Sequence, residues 1–162
     1  MSKTFELTSH FNCKQSFLFD WHDQPGAFER LVPPWKSVTV VESDLSISDN
    51  SKTVFSVGVG PLKMKWVAIH NGYTYPNQFI DIQQSGPFRS WEHRHIFSCC
   101  GEESKLTDAV TYTLPAGILG KLILARTVEK DIKQMFKFRH QRTKNDLSQL
   151  ADFSGRKLRV AI

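Results

Sequence analysis

Two histidines stand two residues apart in the string WEHRH, and His93 and His95 are the residues of this chain whose type and spacing point most directly to chemistry. In an extended strand they share a face with Trp91 and Phe97, while Glu92, Arg94, Ile96 and Ser98 take the other. The face with two bulky aromatics is expected to turn inward. A buried imidazole needs a hydrogen-bond partner or costs about 1–3 kcal/mol. Neighbouring segments supply partners: QFIDIQQ places Phe79, Asp81 and Gln83 on one face, and TDAVTYTL places Asp108, Val110, Tyr112 and Leu114. In the first of these, Ile80 and Ile82 compete with Phe79 for the core side.

Three chemistries are open to such a set. Two imidazoles with Asp81 or Asp108 would make a metal site with an open position, but HxH is a common string and no third ligand stands at a diagnostic spacing. The expectation is therefore no metal and no cofactor. Acid–base work is a second option, since His93 or His95 beside Asp81 or Asp108 would titrate near neutral pH and move a proton. In the third, the histidines bond Asp81, Gln83 or Asp108 and form the polar end of an otherwise apolar pocket. The expected wall of that pocket is Trp66, His70, Phe79, Asp81, Gln83, Trp91, His93, His95, Asp108 and Tyr112, with the aromatics giving contact area and the polar groups orienting the ligand.

Other sites are not supported. There is no GxSxG string, and neither Cys99 nor Cys100 begins an expected helix that would activate its thiol. The glycines of GVGP at 58–61 lead into a strand rather than a helix, which excludes a phosphate loop. Three cysteines without framework spacing read as reduced thiols. Residues 121–159 hold 11 of the 21 Lys and Arg but 4 of the 16 Asp and Glu, which reads as a solvated helix face. The four tryptophans are scattered among apolar segments rather than interleaved with basic residues, so no nucleic-acid partner is expected. The apolar run GILGKLILA is broken by Lys121 and falls short of the roughly 20 residues needed to span a membrane. The N-terminus lacks the pattern of a secretion signal, and the expected location is the cytoplasm.

The elements that must position these residues follow from periodicity. TFELTSHF alternates as a half-buried strand. Asn12 with Gln15 suggests a cap for a short helix through SFLFDWH, and Asp23 before Pro25 suggests a second through AFERL, stopped by Pro33 and Pro34. Six further strand-like segments run from SVTVVESD to DAVTYTL, with Asn71-Gly72 as a hairpin signal. After Pro115 a stripe of Ile118, Leu122, Ala125, Ile132 and Phe136, flanked by Val128 and Met135, predicts a long helix to about Asn145. The tail DFSGRKLRVAI reads as a separate short segment. An antiparallel sheet needs one face covered, and this helix is the element available. The expected fold is α+β: a helix-grip, with a curved antiparallel sheet of about seven strands around a long C-terminal helix and two short helices after the first strand. Residues 1–150 form the domain and 151–162 the tail.

The strings FDWHDQPGAFERLVPPW, FIDIQQSGPFRSWEHRHIF, and DAVTYTLPAGILG followed by FKFRH resemble the SRPBCC superfamily over residues 3–145. That group includes START lipid-transfer domains, polyketide cyclases, coenzyme Q-binding proteins and the birch-pollen allergen type. The resemblance is strongest to a bacterial branch of cyclase/dehydrase-like proteins. It implies the same helix-grip and binding of a small hydrophobic or amphipathic molecule, such as a lipid, quinone or polyketide-like compound. It also leaves open a cyclase/dehydrase enzyme using His93 or His95 with Asp81 or Asp108. In some relatives the domain precedes an NAD-dependent epimerase-like Rossmann domain whose first strand resembles RVAI and continues into TGASG. An epimerase-like domain is thus a further expected partner, with this chain as its regulatory module.

Overall fold

The computed structural model describes the backbone of residues 2–59, 62–115 and 122–160, and the side chains of 2–58, 62–115 and 125–150. Ile118 of the helical stripe, Gly60 and Pro61 of the GVGP turn, and the side chain of Leu122 lie outside them. Strand β1 (Ser2–Phe11) leads into α1 (Gln15–His22) and α2 (Ala27–Arg30). Then come β2 (Val38–Ser43), β3 (Lys52–Val59), β4 (Leu62–Thr74), β5 (Gln78–Ser85), β6 (Ser90–Cys100), β7 (Glu103–Thr113) and α3 (Leu122–Val160). The strands form one sheet in the order β1-β7-β6-β5-β4-β3-β2, every neighbouring pair antiparallel. This is the expected helix-grip. Among the described residues no helix is long and apolar enough to cross a membrane.

The alternation read from WEHRHIF holds: Trp91, His93, His95 and Phe97 are buried, while Arg94, Ile96 and Ser98 face out. Asp108, Val110, Tyr112 and Leu114 are buried as well. In β5 the contest between faces goes to Phe79, which is 3% exposed. Under β1, β6 and β7, Ile132 and Phe136 of α3 pack with Trp91, Val110 and Tyr112. A second cluster joins Leu18, Phe19 and Trp21 of α1 to Phe79, Phe97 and Leu106. Burying side chains of this size stabilises the fold by roughly 1.5–3 kcal/mol each before entropy is subtracted.

Four local expectations are corrected. Asn71-Gly72 is not the hairpin turn; Gly72, at φ 62°, sits inside β4 at a register shift between Asn71 and Thr74. The chain reverses at residues 75–77, where Asn77 N donates to Thr74 O at 2.6 Å. Helix α1 has Lys14 as its N-cap with no side-chain cap bond, because the Gln15 amide instead donates to Pro76 O (3.0 Å) and Phe97 O (3.1 Å) and ties the helix to the sheet. Helix α2 is preceded by Gly26 at φ 84°, and Asp23 accepts from Ile47 N at 3.2 Å. Helix α3 runs past Asn145 to Val160: no proline interrupts it, and a single Gly155 costs only about 1 kcal/mol against alanine.

Helix α3 is clamped beside the sheet. Arg30 of α2 grips the buried Asp146 with two bonds, Nε to Oδ2 at 2.5 Å and Nη2 to Oδ1 at 2.6 Å. Lys36 reaches Asp131 at 2.8 Å, and Arg139 Nε donates to Leu31 O at 3.3 Å. These contacts hold the middle of the helix, from Asp131 to Asp146, against α2 and the segment that follows it, and there is room between helix and sheet.

Candidate functional site

That room is a cavity of about 510 Å³ lined by residues of α1, α2, α3 and strands β2 to β6. Its wall is mostly apolar: Phe28, Phe55, Trp66, Phe88, Trp91 and Met135 line one region. Trp66 meets Phe88 and Trp91 edge-on at ring separations of 5.6 and 5.3 Å. His22, His70, Asp81, His93 and His95 line another.

The polar end is built by strand register. His70 in β4 stands opposite Asp81 in β5, which stands opposite His93 in β6. One step along, Phe79, His95 and Asp108 form the next row. Residues opposite one another on one face of an antiparallel sheet lie within about 5.5 Å at Cβ, so each row brings its polar groups into contact. Asp81 Oδ1 is 2.8 Å from His70 Nε2; its Oδ2 accepts from His95 Nε2 at 3.0 Å and lies 3.5 Å from His93 Nδ1. Asp108 Oδ1 lies 3.1 Å from His93 Nε2 and 3.0 Å from His95 Nδ1. From α3, His140 Nε2 donates to Asp108 Oδ2 at 2.9 Å. His93 and His95 are therefore held between two carboxylates, one on the cavity side and one behind. The ring of His95 also stacks on Phe79 at 4.0 Å.

Burial would neutralise these groups, and their mutual contacts oppose it. Desolvation pushes Asp81 up, but bonds from His70, His93 and His95 hold it well below the usual carboxylate range. Asp108 is likewise raised by burial and lowered further by His95, His93 and His140, with the same net direction. Burial lowers His95, yet Asp108 and Asp81 outweigh it and lift the imidazole to about 9. His70 is raised by Asp81 against its own desolvation. His22, whose Nδ1–H donates to Leu18 O at 2.8 Å, is pushed by burial, and then by the charge of His95, down to about 3. Burial also lowers Arg139. Titration near neutral pH, the expectation from a single carboxylate, is not what two carboxylates give His95. It is an imidazolium at pH 7, a proton donor rather than a base.

Eight of the ten wall residues expected from the sequence line the cavity: Trp66, His70, Phe79, Asp81, Gln83, Trp91, His93 and His95. Asp108 lies behind the histidines, and Tyr112, 2% exposed, belongs to the core beneath Phe88 and Trp91. The Gln83 amide is occupied in holding the turn before β6, donating to Phe88 O at 2.8 Å and accepting from Phe88 N at 3.3 Å. Sequence reasoning missed His22, Arg139 and His140. His140 follows Phe136 by four residues and so continues the apolar stripe of α3, which is the signal that would have found it. For a metal, Asp81, His93 and His95 each offer a ligand atom, all within 4.8 Å of one another.

A curved sheet gripping one helix, with an apolar cavity and a polar end, defines a ligand-cavity domain of the START-like SRPBCC class. Residues 12–139 match the family described as polyketide cyclase / dehydrase and lipid transport, and the chain belongs to that family. It is similar to the nucleoside-diphosphate sugar epimerase from Corynebacterium glutamicum, with a TM-score of 0.72 and 27% identity over 93% of this chain and 30% of that one. This chain thus spans less than a third of the epimerase's length. A START superfamily protein from Mycobacterium smegmatis shares the fold at a TM-score of 0.68 and 11% identity, covering 91% of this chain and 98% of the other. The di-domain ARO/CYC BexL from the BE-7585A biosynthetic pathway does so at 0.63 and 13%, covering 89% and 49%. No curated protein matches by sequence.

Proposed function

We propose that the cavity binds a small hydrophobic or amphipathic molecule of the lipid, quinone or polyketide type, in the cytoplasm. The observation that carries this reading is the cavity itself: about 510 Å³, within the usual range of roughly 300–1,000 Å³ for small-molecule sites, aromatic along its wall and ending in the Asp81 cluster. Trp66, Phe79 and Trp91 give contact area. His70, Asp81, His93 and His95 orient the ligand's polar group, with Asp108 and His140 holding the two central imidazoles from behind. Tyr112 acts through the packing of Trp91 rather than by touching the ligand. Native against denaturing mass spectrometry of the purified chain tests this. An organic mass that leaves on denaturation is the expected result, and a bare chain that takes up no lipid, quinone or aromatic polyketide probe would overturn it.

One observation favours a second reading, a cyclase/dehydrase-type enzyme: His95 is an acid facing a cavity whose carboxylate, Asp81, is held ionised. In that role His95 gives its Nε2 proton to a carbonyl oxygen as negative charge develops there. His95→Ala and His93→Ala chains that fold and retain ligand but lose turnover would support it. If both lose ligand along with any turnover, the groups serve binding alone. The likeness to part of an epimerase supports a third role, as the regulatory module of an epimerase-like domain. Gene sequence running past Ile162 into a TGASG-type loop is the expected finding, and a stop codon there refutes it.

A further inference from the structure

We infer that the polar end of the cavity is a binding site for a divalent transition-metal ion, ligated by Asp81 Oδ2, His93 Nδ1 and His95 Nε2, with its remaining coordination positions open to the cavity. Around an ion with bonds of about 2.0–2.2 Å, neighbouring donor atoms stand roughly 3–3.5 Å apart. Asp81 Oδ2 is 3.0 Å from His95 Nε2 and 3.5 Å from His93 Nδ1, and Asp81, His93 and His95 can each offer one ligand atom within 4.8 Å of the other two.

What surrounds these donors is as informative as the donors. In protein metal sites each ligating imidazole turns its other nitrogen to an outer carboxylate or carbonyl, which fixes the ring. Here the opposite nitrogens, His93 Nε2 and His95 Nδ1, both lie against one oxygen of Asp108, at 3.1 and 3.0 Å. The other Asp108 oxygen is held by His140 at 2.9 Å. The second oxygen of Asp81 is likewise held by His70 at 2.8 Å, leaving Oδ2 for the ion.

Read purely as hydrogen bonds the cluster is unfinished. His93 Nε2, His95 Nδ1 and Asp108 Oδ1 are buried and make no in-line hydrogen bond, although His93 and His95 are 2% and 6% exposed. Small rotations of the rings about an ion would set those nitrogens on Asp108. A ligating imidazole is neutral, so the ion takes the place of the proton now between His95 and Asp81, and that proton is released to solvent. Two imidazoles and one carboxylate suit Zn2+, Fe2+ or Co2+ rather than the oxygen-seeking Mg2+ and Ca2+. With three protein ligands, such an ion can polarise a carbonyl or enol oxygen of a molecule in the cavity. That last role rests on the ligand reading above, whereas binding of the ion does not.

The test is titration of the chelator-treated full chain with Zn2+ by calorimetry and with Co2+ by visible absorption. The expected result is one ion per chain, a Co2+ spectrum without thiolate charge-transfer bands, and affinity reduced about tenfold to a hundredfold or more in Asp81→Asn and His95→Gln. A chain with both Cys99→Ser and Cys100→Ser should bind as the wild type does, since these exposed residues end β6. No uptake, or uptake unchanged in Asp81→Asn and His95→Gln, overturns the assignment. Should those variants fail to fold, ring-nitrogen NMR of the wild type decides: unshifted His93 and His95 signals on adding Zn2+ overturn it. An organic ligand retained by the metal-free chain that takes up no Zn2+ would sink the ion and leave the cavity reading standing.

Discussion

Acidification should weaken this fold through His22, well before the buried Asp81 and Asp108 titrate. The ring is 8% exposed, wedged between Trp21 and Phe97 at 4.9 and 5.2 Å, and held neutral by burial with a folded-state value of about 3 against 6.5 for a free imidazole. Because the unfolded chain takes up this proton first, stability is fully present above about pH 6.5 and is lost as pH falls toward 3. At about 1.36 kcal/mol per pH unit, the loss by pH 4 is about 3 kcal/mol. His95 and His70 have raised values, so their contributions stay intact below pH 6.5. Asp81 and Asp108 lose theirs only as pH falls below about 3.8. For a chain of this length 3 kcal/mol corresponds to a Tm drop of roughly 6–12 °C between pH 7 and 4. Thermal unfolding of the chelator-treated protein, followed by circular dichroism, measures it. His22→Asn keeps a donor for Leu18 O but cannot titrate, and should flatten the slope even if it lowers Tm at pH 7. An Asn chain as acid-sensitive as the wild type would refute the reasoning.

On the alkaline side His95 reverses the sign: its value is raised to about 9, so its stabilisation is complete below pH 6.5 and disappears as pH rises through 9. Tm of the metal-free protein should fall between pH 7 and 10, and His95→Gln should abolish most of that fall. Asp108→Asn leaves the imidazolium of His95 short of a buried partner, which costs about 3–5 kcal/mol, or roughly 6–20 °C in Tm; a change under about 2 °C would show that Asp108 is not its main counter-charge. Gly86→Ala would put a Cβ 2.5 Å from Gln83 Oε1 and push the amide off Phe88. The two hydrogen bonds lost are worth about 1 kcal/mol each. A double-mutant cycle with Gln83→Ala in urea unfolding should show the two changes to be strongly non-additive.

How the cluster forms explains what could be read from the sequence and what could not. Period-two patterning assigns Trp91, His93, His95 and Phe97 to one face, and in the same way Asp108 and Tyr112, because a strand allows only two sides. Register is different: sliding a strand by two residues keeps every side chain on its own face and changes every partner. Only the observed pairing sets His70, Asp81 and His93 in one row and Phe79, His95 and Asp108 in the next. The contribution of α3 was overlooked for another reason: His140 continues the apolar stripe four residues after Phe136, but it sits in the basic string FKFRH, whose charges read as a solvated face, and it is buried with Phe136 and Leu147. His22 lies in a helix of eight residues, too short for its periodicity to single out one side. The consequence reaches the chemistry. A strand considered alone offers each imidazole one carboxylate and titration near neutral pH. The folded sheet gives His95 two, one from β5 and one from β7, and turns a prospective base into a standing cation whose proton has to leave before the site can hold a metal.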